Sequence, residues 1–173
     1  QTLGGPFGSS VAIGDTGIFL NNMAYYFDLA PPGESPNIIG PGRLVEWPPA
    51  PTLTFKDGRF FLSMGTPGGY GILQTTSQML MHVLEFGMNI QEALDAPAVR
   101  SVHFPSSFYP RAAFPGRLIT EPMIAGEVIA ELSRRGHEIE MTDAWYGGKV
   151  LAIHYDKSTG VISGGASPRG TIG

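Results

Sequence analysis

The sequence predicts an α+β protein in which helices pack on an antiparallel sheet. Strand and helix patterns occur in blocks along the chain rather than in strict alternation. Three segments combine apolar strings with a tight turn, which is typical of β-hairpins. The 173 residues include 24 glycines and 15 prolines, about twice the average share. We therefore expect short elements joined by many turns.

The N-terminal part of the chain predicts a short hairpin followed by a long loop. The apolar strings Val11–Ile13 and Ile18–Leu20 flank the turn Gly14–Gly17. Residues 21–50 are rich in proline and show no periodic pattern. A loop of about 30 residues inside a compact domain is uncommon and is usually functional where it occurs.

The central part of the chain contains the clearest local signals. Residues 53–55 and Phe60–Met64 read as strands joined by the turn Lys56–Arg59, which contains an Asp-Gly pair. Apolar residues then recur at helical spacing from Ile72 to Phe86. A second, short helix is predicted from Asn89, a suitable N-cap residue, to Ala96.

The C-terminal part of the chain predicts a helix and three strands. Residues 97–119 show no pattern and are expected to be irregular. The segment Thr120–Arg135 predicts a helix with a threonine cap and an early proline. His137–Met141 predicts a strand, and Lys149–Tyr155 with Val161–Gly165 predicts a second hairpin.

Charge and hydropathy exclude several classes of partner. Eleven basic and fifteen acidic residues give a net charge of −4, which argues against the basic face of a nucleic-acid-binding protein. No apolar run approaches the ~20 residues of a membrane helix. We therefore expect neither a nucleic-acid partner nor a membrane partner.

The chemistry-bearing residues are sparse. The chain has no cysteine, which excludes disulfides, thiolate metal sites and a cysteine nucleophile. Its four histidines, His82, His103, His137 and His154, are scattered, whereas a metal site needs clustered ligands. We expect no metal and no cofactor.

The strongest local candidate for a site is the glycine-rich segment Gly65–Gly71, between a predicted strand and a predicted helix. Two consecutive glycines let backbone N–H groups approach a ligand, and a helix N-terminus adds positive potential. The segment lacks the Gly-Lys-Ser/Thr ending of a phosphate-binding loop and does not fit the dinucleotide fingerprint. An anion site, an oxyanion hole and a simple tight turn all remain open on this pattern.

Several short motifs, kept in order over nearly the whole chain, resemble the small subunit of the γ-glutamyltransferase family. Each motif is weak alone, but together they are specific. They are Thr16–Asn22, Pro51-Thr52, Lys56–Gly58, Gly65–Gly69, Phe86–Ala93, Ala96-Pro97, Arg135–His137 and Pro168-Arg169.

The resemblance implies an N-terminal nucleophile hydrolase with an αββα sandwich. In that family a precursor cleaves itself into a large and a small subunit, and the new N-terminal threonine acts as nucleophile and, through its α-amine, as base. The chain begins at Gln1 without methionine. We therefore expect residues 1–173 to be a single domain, the small-subunit portion of a two-chain enzyme without its first strand. A large subunit from the same precursor is the expected partner.

The family's catalytic residues transfer to three positions. Gly68 and Gly69 resemble the pair that donates to the oxyanion, and Thr2 resembles the threonine whose hydroxyl supports the nucleophile. The nucleophile itself is expected upstream of Gln1.

The family's substrate-binding positions depart from the glutamate-binding pattern. Tyr26 replaces the carboxylate that binds the substrate's α-amine, and Trp47 and Pro48 replace the serines that hold its α-carboxylate. Gly4 replaces an asparagine. A charged group that loses its buried partner loses roughly 2–5 kcal/mol, so a free γ-glutamyl group should no longer be recognised. The candidate substrate-binding residues are Asn22, Met23, Tyr26, Trp47 and Pro48.

The function implied by the resemblance is therefore amide hydrolysis or acyl transfer through an acyl-enzyme. The substrate is expected to be a small-molecule amide with an acyl group other than γ-glutamyl. One alternative is a true γ-glutamyltransferase or glutathione hydrolase that holds glutamate through the large subunit alone. Another is a non-catalytic remnant of the fold. The compartment, cytoplasmic or periplasmic, is left open.

Overall fold

The computed structural model describes residues 2–5, 7–31 and 33–169, and the chain divides into two compact units. The first unit is Gln1–Pro49 with Ser107–Arg111, and the second is Ala50–Ser106 with Ala112–Gly173. The single domain expected for residues 1–173 stays a prediction.

The first unit contains little regular structure. Ala12 and Phe19 form an isolated antiparallel bridge, so the predicted hairpin is present in reduced form. A 3-10 helix, Met23–Tyr26, interrupts the predicted loop. A parallel bridge between Asp28 and Ile38 follows.

The second unit contains the helices α1–α3 and the strands β1–β7. In chain order they are β1 (Thr52–Lys56), β2 (Arg59–Gly65), α1 (Gly71–Leu84), α2 (Ile90–Asp95), β3 (Val99–Ser101), β4 (Arg117–Thr120), α3 (Gly126–Arg134), β5 (Glu138–Met141), β6 (Leu151–Tyr155) and β7 (Ile162–Ala166).

A first sheet has the strand order β1-β2-β6-β7, and every neighbouring pair is antiparallel. Asp57 and Gly58 both have positive φ, 52° and 71°, as a two-residue hairpin turn requires. Of the three predicted hairpins, the two that lie in this sheet, β1–β2 and β6–β7, are confirmed.

A second sheet has the order β3-β4-β5, with β3 and β4 antiparallel and β4 and β5 parallel. The expectation that residues 97–119 are irregular is wrong, because β3 and most of β4 lie there. The predicted start of the third helix is also wrong. Thr120 pairs with Met141 as the last residue of β4, and α3 begins only at Gly126.

The core lies between the inner face of the first sheet and the helices α1 and α2. Its buried residues are Leu62, Met64, Met79, Ala93, Leu94, Val150 and Ala152. α2 approaches β7 closely, since a Cβ atom on Gly165 would lie 2.6 Å from Leu94 Cδ1. Asn89 caps α2, and its capping box includes the Glu92 side chain.

The outer face of the same sheet is apolar, and no element of the described residues covers it. Its side chains are between 48% and 70% exposed. They are Leu53, Phe55, Leu151, Ile153 and Ile162. Among the described residues, no helix is long and apolar enough to cross a membrane.

Candidate active site

The glycine loop between β2 and α1 offers two unused backbone donors. Gly68 and Gly69 have φ values of 136° and 58°, which favour glycine. Their carbonyl groups accept hydrogen bonds from Gly71 N and Ile72 N, each at 3.1 Å. The N–H groups of Gly68 and Gly69 donate to none of the described residues. Both donors are therefore free to bind a ligand.

The first turn of α1 adds positive potential beside this loop. The helix runs for 14 residues from Gly71, without a side-chain cap and without an acidic residue in its first turn. Because the positive end of the helix dipole is not neutralised locally, negative charge is favoured here. The arrangement suits an anion, or the oxyanion of a tetrahedral intermediate.

A small cavity of about 60 Å³ borders the loop. Gly68, Gly71, Arg100, Thr120 and Glu121 are among its lining residues. Thr120 is fully buried, and its Oγ1 atom finds no hydrogen-bond partner in the described part of the chain. A buried polar atom of this kind is normally paired with protein, water or an ion.

A buried ion pair supports the wall of this cavity. Glu121 accepts hydrogen bonds from Arg169 Nε at 2.7 Å and from Arg169 Nη2 at 2.6 Å, and both side chains are less than 5% exposed. Arg169 also donates to the carbonyl oxygens of Leu94 and Ala96, each at 2.6 Å. One side chain thus joins the end of α2 to the end of β4.

The Glu121 carboxylate is held in its charged form. Burial raises the pKa of Glu121, but the hydrogen bonds from Arg169, Ala98 N and Gly147 N outweigh it and lower the pKa below its usual value. The carboxylate is therefore ionised and internally neutralised. It is not a proton donor at neutral pH.

In the first unit, Thr2 and Asn22 accept hydrogen bonds from the neighbouring residues Gly4 and Gly5. Thr2 Oγ1 accepts a hydrogen bond from Gly4 N at 3.1 Å, and Asn22 Oδ1 accepts one from Gly5 N at 2.8 Å. A Cβ atom on Gly4 would lie 2.2 Å from Asn22 Oδ1 and 2.9 Å from Met23 Sδ. Gly4 therefore admits Asn22 and Met23 to this segment, where the family's asparagine would not fit.

Tyr26 lies in an aromatic stack. It is 4% exposed, and its ring centroid is 4.5 Å from that of Tyr25 and 5.9 Å from that of Phe108. Burial, together with a hydrogen bond to Tyr26, raises the pKa of Tyr25. Trp47 is 51% exposed and joins no ring contact among the described residues, and Pro48 is half-buried. Tyr26 and Trp47 are thus not in ring contact with each other.

The carboxylate that follows the tyrosines is already paired. Asp28 accepts a hydrogen bond from Ser35 Oγ at 2.5 Å and forms a salt bridge with Arg111. These contacts, the Ser35 hydrogen bond first, lower the pKa of Asp28. Asp28 is therefore not a free replacement for the carboxylate lost at Tyr26.

The structure adds site residues that the sequence did not indicate. Arg100 and Thr120 border the small cavity, whereas the sequence predicts an irregular segment around Arg100 and a helix cap at Thr120. Arg169 belongs to a motif noted in the sequence, without a role. Among the described residues, no group of three histidine or carboxylate side chains could hold a metal ion.

A family model described as Gamma-glutamyltranspeptidase matches residues 1–172. The chain belongs to the γ-glutamyltranspeptidase family. Because the match covers nearly the whole sequence, the resemblance seen in the motifs is confirmed. The α+β fold is accordingly of the N-terminal nucleophile hydrolase type.

Two relatives of this γ-glutamyltranspeptidase-family chain carry different names. It is 27% identical over 176 residues to the glutathione hydrolase proenzyme of Escherichia coli, covering 97% of this chain and 28% of that protein. It is 32% identical over 167 residues to the acylase ACY 1 proenzyme of a Pseudomonas species, covering 96% of this chain and 27% of that protein. The chain therefore spans little more than a quarter of these relatives.

A solved structure agrees with the family. A mutant γ-glutamyltranspeptidase from Helicobacter pylori superposes with a TM-score of 0.78 at 28% identity, covering 98% of this chain and 91% of that chain. The γ-glutamyltranspeptidase-family assignment thus holds in sequence and in fold.

Proposed function

We propose that this chain is the small-subunit portion of an amide hydrolase or acyltransferase that acts through an N-terminal threonine upstream of Gln1. The observation that carries the proposal is the pair of unused N–H groups at Gly68 and Gly69, beside an uncapped helix N-terminus. Donors held in this way stabilise a developing oxyanion without reorganising.

The proposed reaction has two steps. The threonine hydroxyl attacks the amide carbonyl, its proton passes through the α-amine to the leaving nitrogen, and the C–N bond breaks to leave an ester. Water, or an acceptor amine, then attacks the ester and releases the acyl group. Gly68 and Gly69 would donate to the carbonyl oxygen in both steps, and Thr2 would support the nucleophile.

We also propose that the acyl group is not γ-glutamyl. Tyr26 supplies no charge, its ring is buried against other aromatic rings, and Asp28 is already paired with Arg111. Trp47 and Pro48 offer no hydroxyl groups for a carboxylate. Asn22 and Met23 remain the polar and apolar contacts proposed for the substrate. A zwitterionic glutamyl head would leave charges unpaired, whereas a less charged acyl group would not.

The partner proposed for this chain is the large subunit of the same precursor. The uncovered outer face of the first sheet is apolar over five side chains, and patches of this kind on soluble proteins mark interaction sites. Both curated relatives named above are described as proenzymes and are nearly four times as long as the matched region. A second layer covering this face would complete the αββα sandwich.

The test is an assay of the whole encoded protein on matched anilides. We expect slow release of aniline from a γ-glutamyl anilide and faster release from simple acyl anilides, with a covalent acyl adduct on the residue upstream of Gln1. Tyr26→Asp alone should not restore γ-glutamyl turnover, because the carboxylate-binding positions are also changed. Turnover of the γ-glutamyl compound alone would refute the altered specificity, and the lack of any adduct or turnover would refute the enzyme.

A further inference from the structure

Arg100 lies at the centre of β3. Its neighbours Val99 and Ser101 exchange backbone hydrogen bonds with the side-chain amides of Gln78 and Gln74, at distances of 2.7–3.0 Å. These contacts hold β3 against α1. The Arg100 side chain itself makes no hydrogen bond or ion pair with the described residues, and its Nε atom is buried.

The position of Arg100 is electrostatically unusual. A Cβ atom on Gly71, the first residue of α1, would lie 3.3 Å from both Cζ and Nε of Arg100. The guanidinium therefore packs against a helix N-terminus, where the dipole disfavours a cation. The nearby carboxylate of Glu121 is already bound by Arg169. The guanidinium and the helix N-terminus therefore both contribute positive potential here, and the described residues that line the adjoining cavities supply no free carboxylate.

Arg100 also borders two cavities. The small cavity is lined by Thr120, whose buried hydroxyl is a second polar group for which the described residues supply no hydrogen-bond partner. The other cavity has a volume of about 770 Å³ and a mainly apolar wall. Its side chains include Tyr70, Val102, Phe104, Phe114 and Ile119.

We propose that Arg100 and the first turn of α1 bind the carboxylate of a small-molecule ligand whose apolar or aromatic body occupies the larger cavity. An arginine fork recognises a carboxylate through two parallel hydrogen bonds. The apolar wall suits the rest of such a ligand, since binding cavities combine apolar surface with a few placed polar groups.

This inference deepens the proposed function, on which it rests for identifying the ligand as a substrate or product. Gly68 borders the small cavity together with Arg100. An acyl group whose carbonyl lies at the glycine loop could therefore carry its carboxylate to Arg100. The binding event needs no turnover, so it can be measured separately from catalysis.

The experiment compares phenylacetate with phenylacetamide, which have the same body but differ in charge. Binding to the whole encoded protein is measured by calorimetry for the unchanged protein and for Arg100→Met, Arg100→Lys and Arg59→Met. Arg59→Met is the matched control, because Arg59 is exposed in the β1–β2 hairpin. Thermal melting checks that each variant is folded.

We expect the unchanged protein to bind phenylacetate at least about 10-fold more tightly than phenylacetamide. Arg100→Met should weaken phenylacetate binding by about 10- to 100-fold and leave phenylacetamide binding unchanged. Arg100→Lys should lie between them, because it keeps the charge but loses the fork. Arg59→Met should have no effect.

Equal affinity of the unchanged protein for the two probes would overturn the inference, even if Arg100→Met failed to fold. An equal loss for both probes in a folded Arg100→Met variant would overturn it too. Absence of phenylacetate binding in a protein that hydrolyses anilides would refute this subsite while leaving the proposed function intact. Selective binding by a protein without turnover would support the subsite and count against the enzyme.

Discussion

Replacing Arg169 with methionine should destabilise the second unit strongly. Arg169 and Glu121 are joined by two hydrogen bonds of 2.6–2.7 Å, and both side chains are less than 5% exposed. After Arg169→Met the buried carboxylate would keep only two amide donors, Ala98 N at 3.0 Å and Gly147 N at 3.3 Å. Breaking a buried pair on one side costs about 3–5 kcal/mol in free energy of unfolding.

Urea denaturation of the whole encoded protein measures this loss as a shift in the unfolding midpoint. Arg134→Met is the matched control, because Arg134 binds Glu131 through equally short contacts of 2.7 Å but its side chain is 73% exposed. Water screens the exposed pair, so its loss should change the midpoint far less. Equal shifts for the two variants would refute the reasoning from burial.

The double variant Glu121→Leu with Arg169→Met separates pairing from packing. It removes both charges, so no ion is left buried without a partner. It still leaves the carbonyl groups of Leu94 and Ala96 without their donor, at about 1–3 kcal/mol for each buried group. We expect the double variant to lose less free energy of unfolding than the two single variants lose in sum. The difference should be about 2 kcal/mol or more. Additivity within about 0.5 kcal/mol would show that the two residues act independently.

The same pair predicts a pH dependence. The pKa of Glu121 is lowered in the folded state from its usual value of 4.5. A lowered folded-state pKa means that the stabilisation is fully present above pH 4.5 and is lost as the pH falls toward the folded-state pKa. The urea concentration at the unfolding midpoint should therefore decrease as the pH is lowered through this acid range. The decrease should be less steep in Glu121→Gln.

Three further substitutions test other parts of the structure. Gly68→Ala should lower kcat by about 10²–10³-fold on an amide substrate, because a φ of 136° is strained for alanine and moves the donor, whereas Gly160→Ala in the β6–β7 turn should not. Gln78→Met should cost about 1–3 kcal/mol in stability, measured by urea denaturation, since the N–H and carbonyl groups of Val99 would lose their partners. Ile153→Asp should separate the chain from the proposed large subunit in size-exclusion chromatography, because a charge would enter the apolar face; an intact complex would count against that interface.

Local signals made part of the fold predictable. The Asp57-Gly58 turn and the Asn89 cap are set by residues that are close in sequence, and the structure has both. β3 has no such signal, because Val99 is held by Gln78 from a helix about 20 residues earlier. The sequence predicts a helix cap at Thr120, but Thr120 belongs to β4, where pairing with β5 overrides its capping preference.

Local sequence patterns likewise indicate some residues of the candidate site and not others. The pattern of two consecutive glycines before a helix predicts backbone N–H groups that can approach a ligand, and it therefore indicates Gly68 and Gly69. The pairing of Glu121 with Arg169 spans 48 residues, and no periodic pattern indicates it. The sequence does not indicate Arg100 either. Arg100 is notable because its side chain has no hydrogen-bond partner among the described residues, and only the three-dimensional packing shows this.

The net charge of −4 says little about the glycine loop, because local pairing decides the potential there. Glu121 borders the same small cavity as Arg100 and is neutralised by Arg169. Arg169→Met would therefore expose the anionic ligand to an unpaired carboxylate and should weaken phenylacetate binding. Adding Glu121→Leu removes that carboxylate, so affinity should recover although the double variant stays less stable than the unchanged protein. Affinity that follows stability through all these variants would instead mean that the ion pair acts on the subsite by holding its shape and not by its charge.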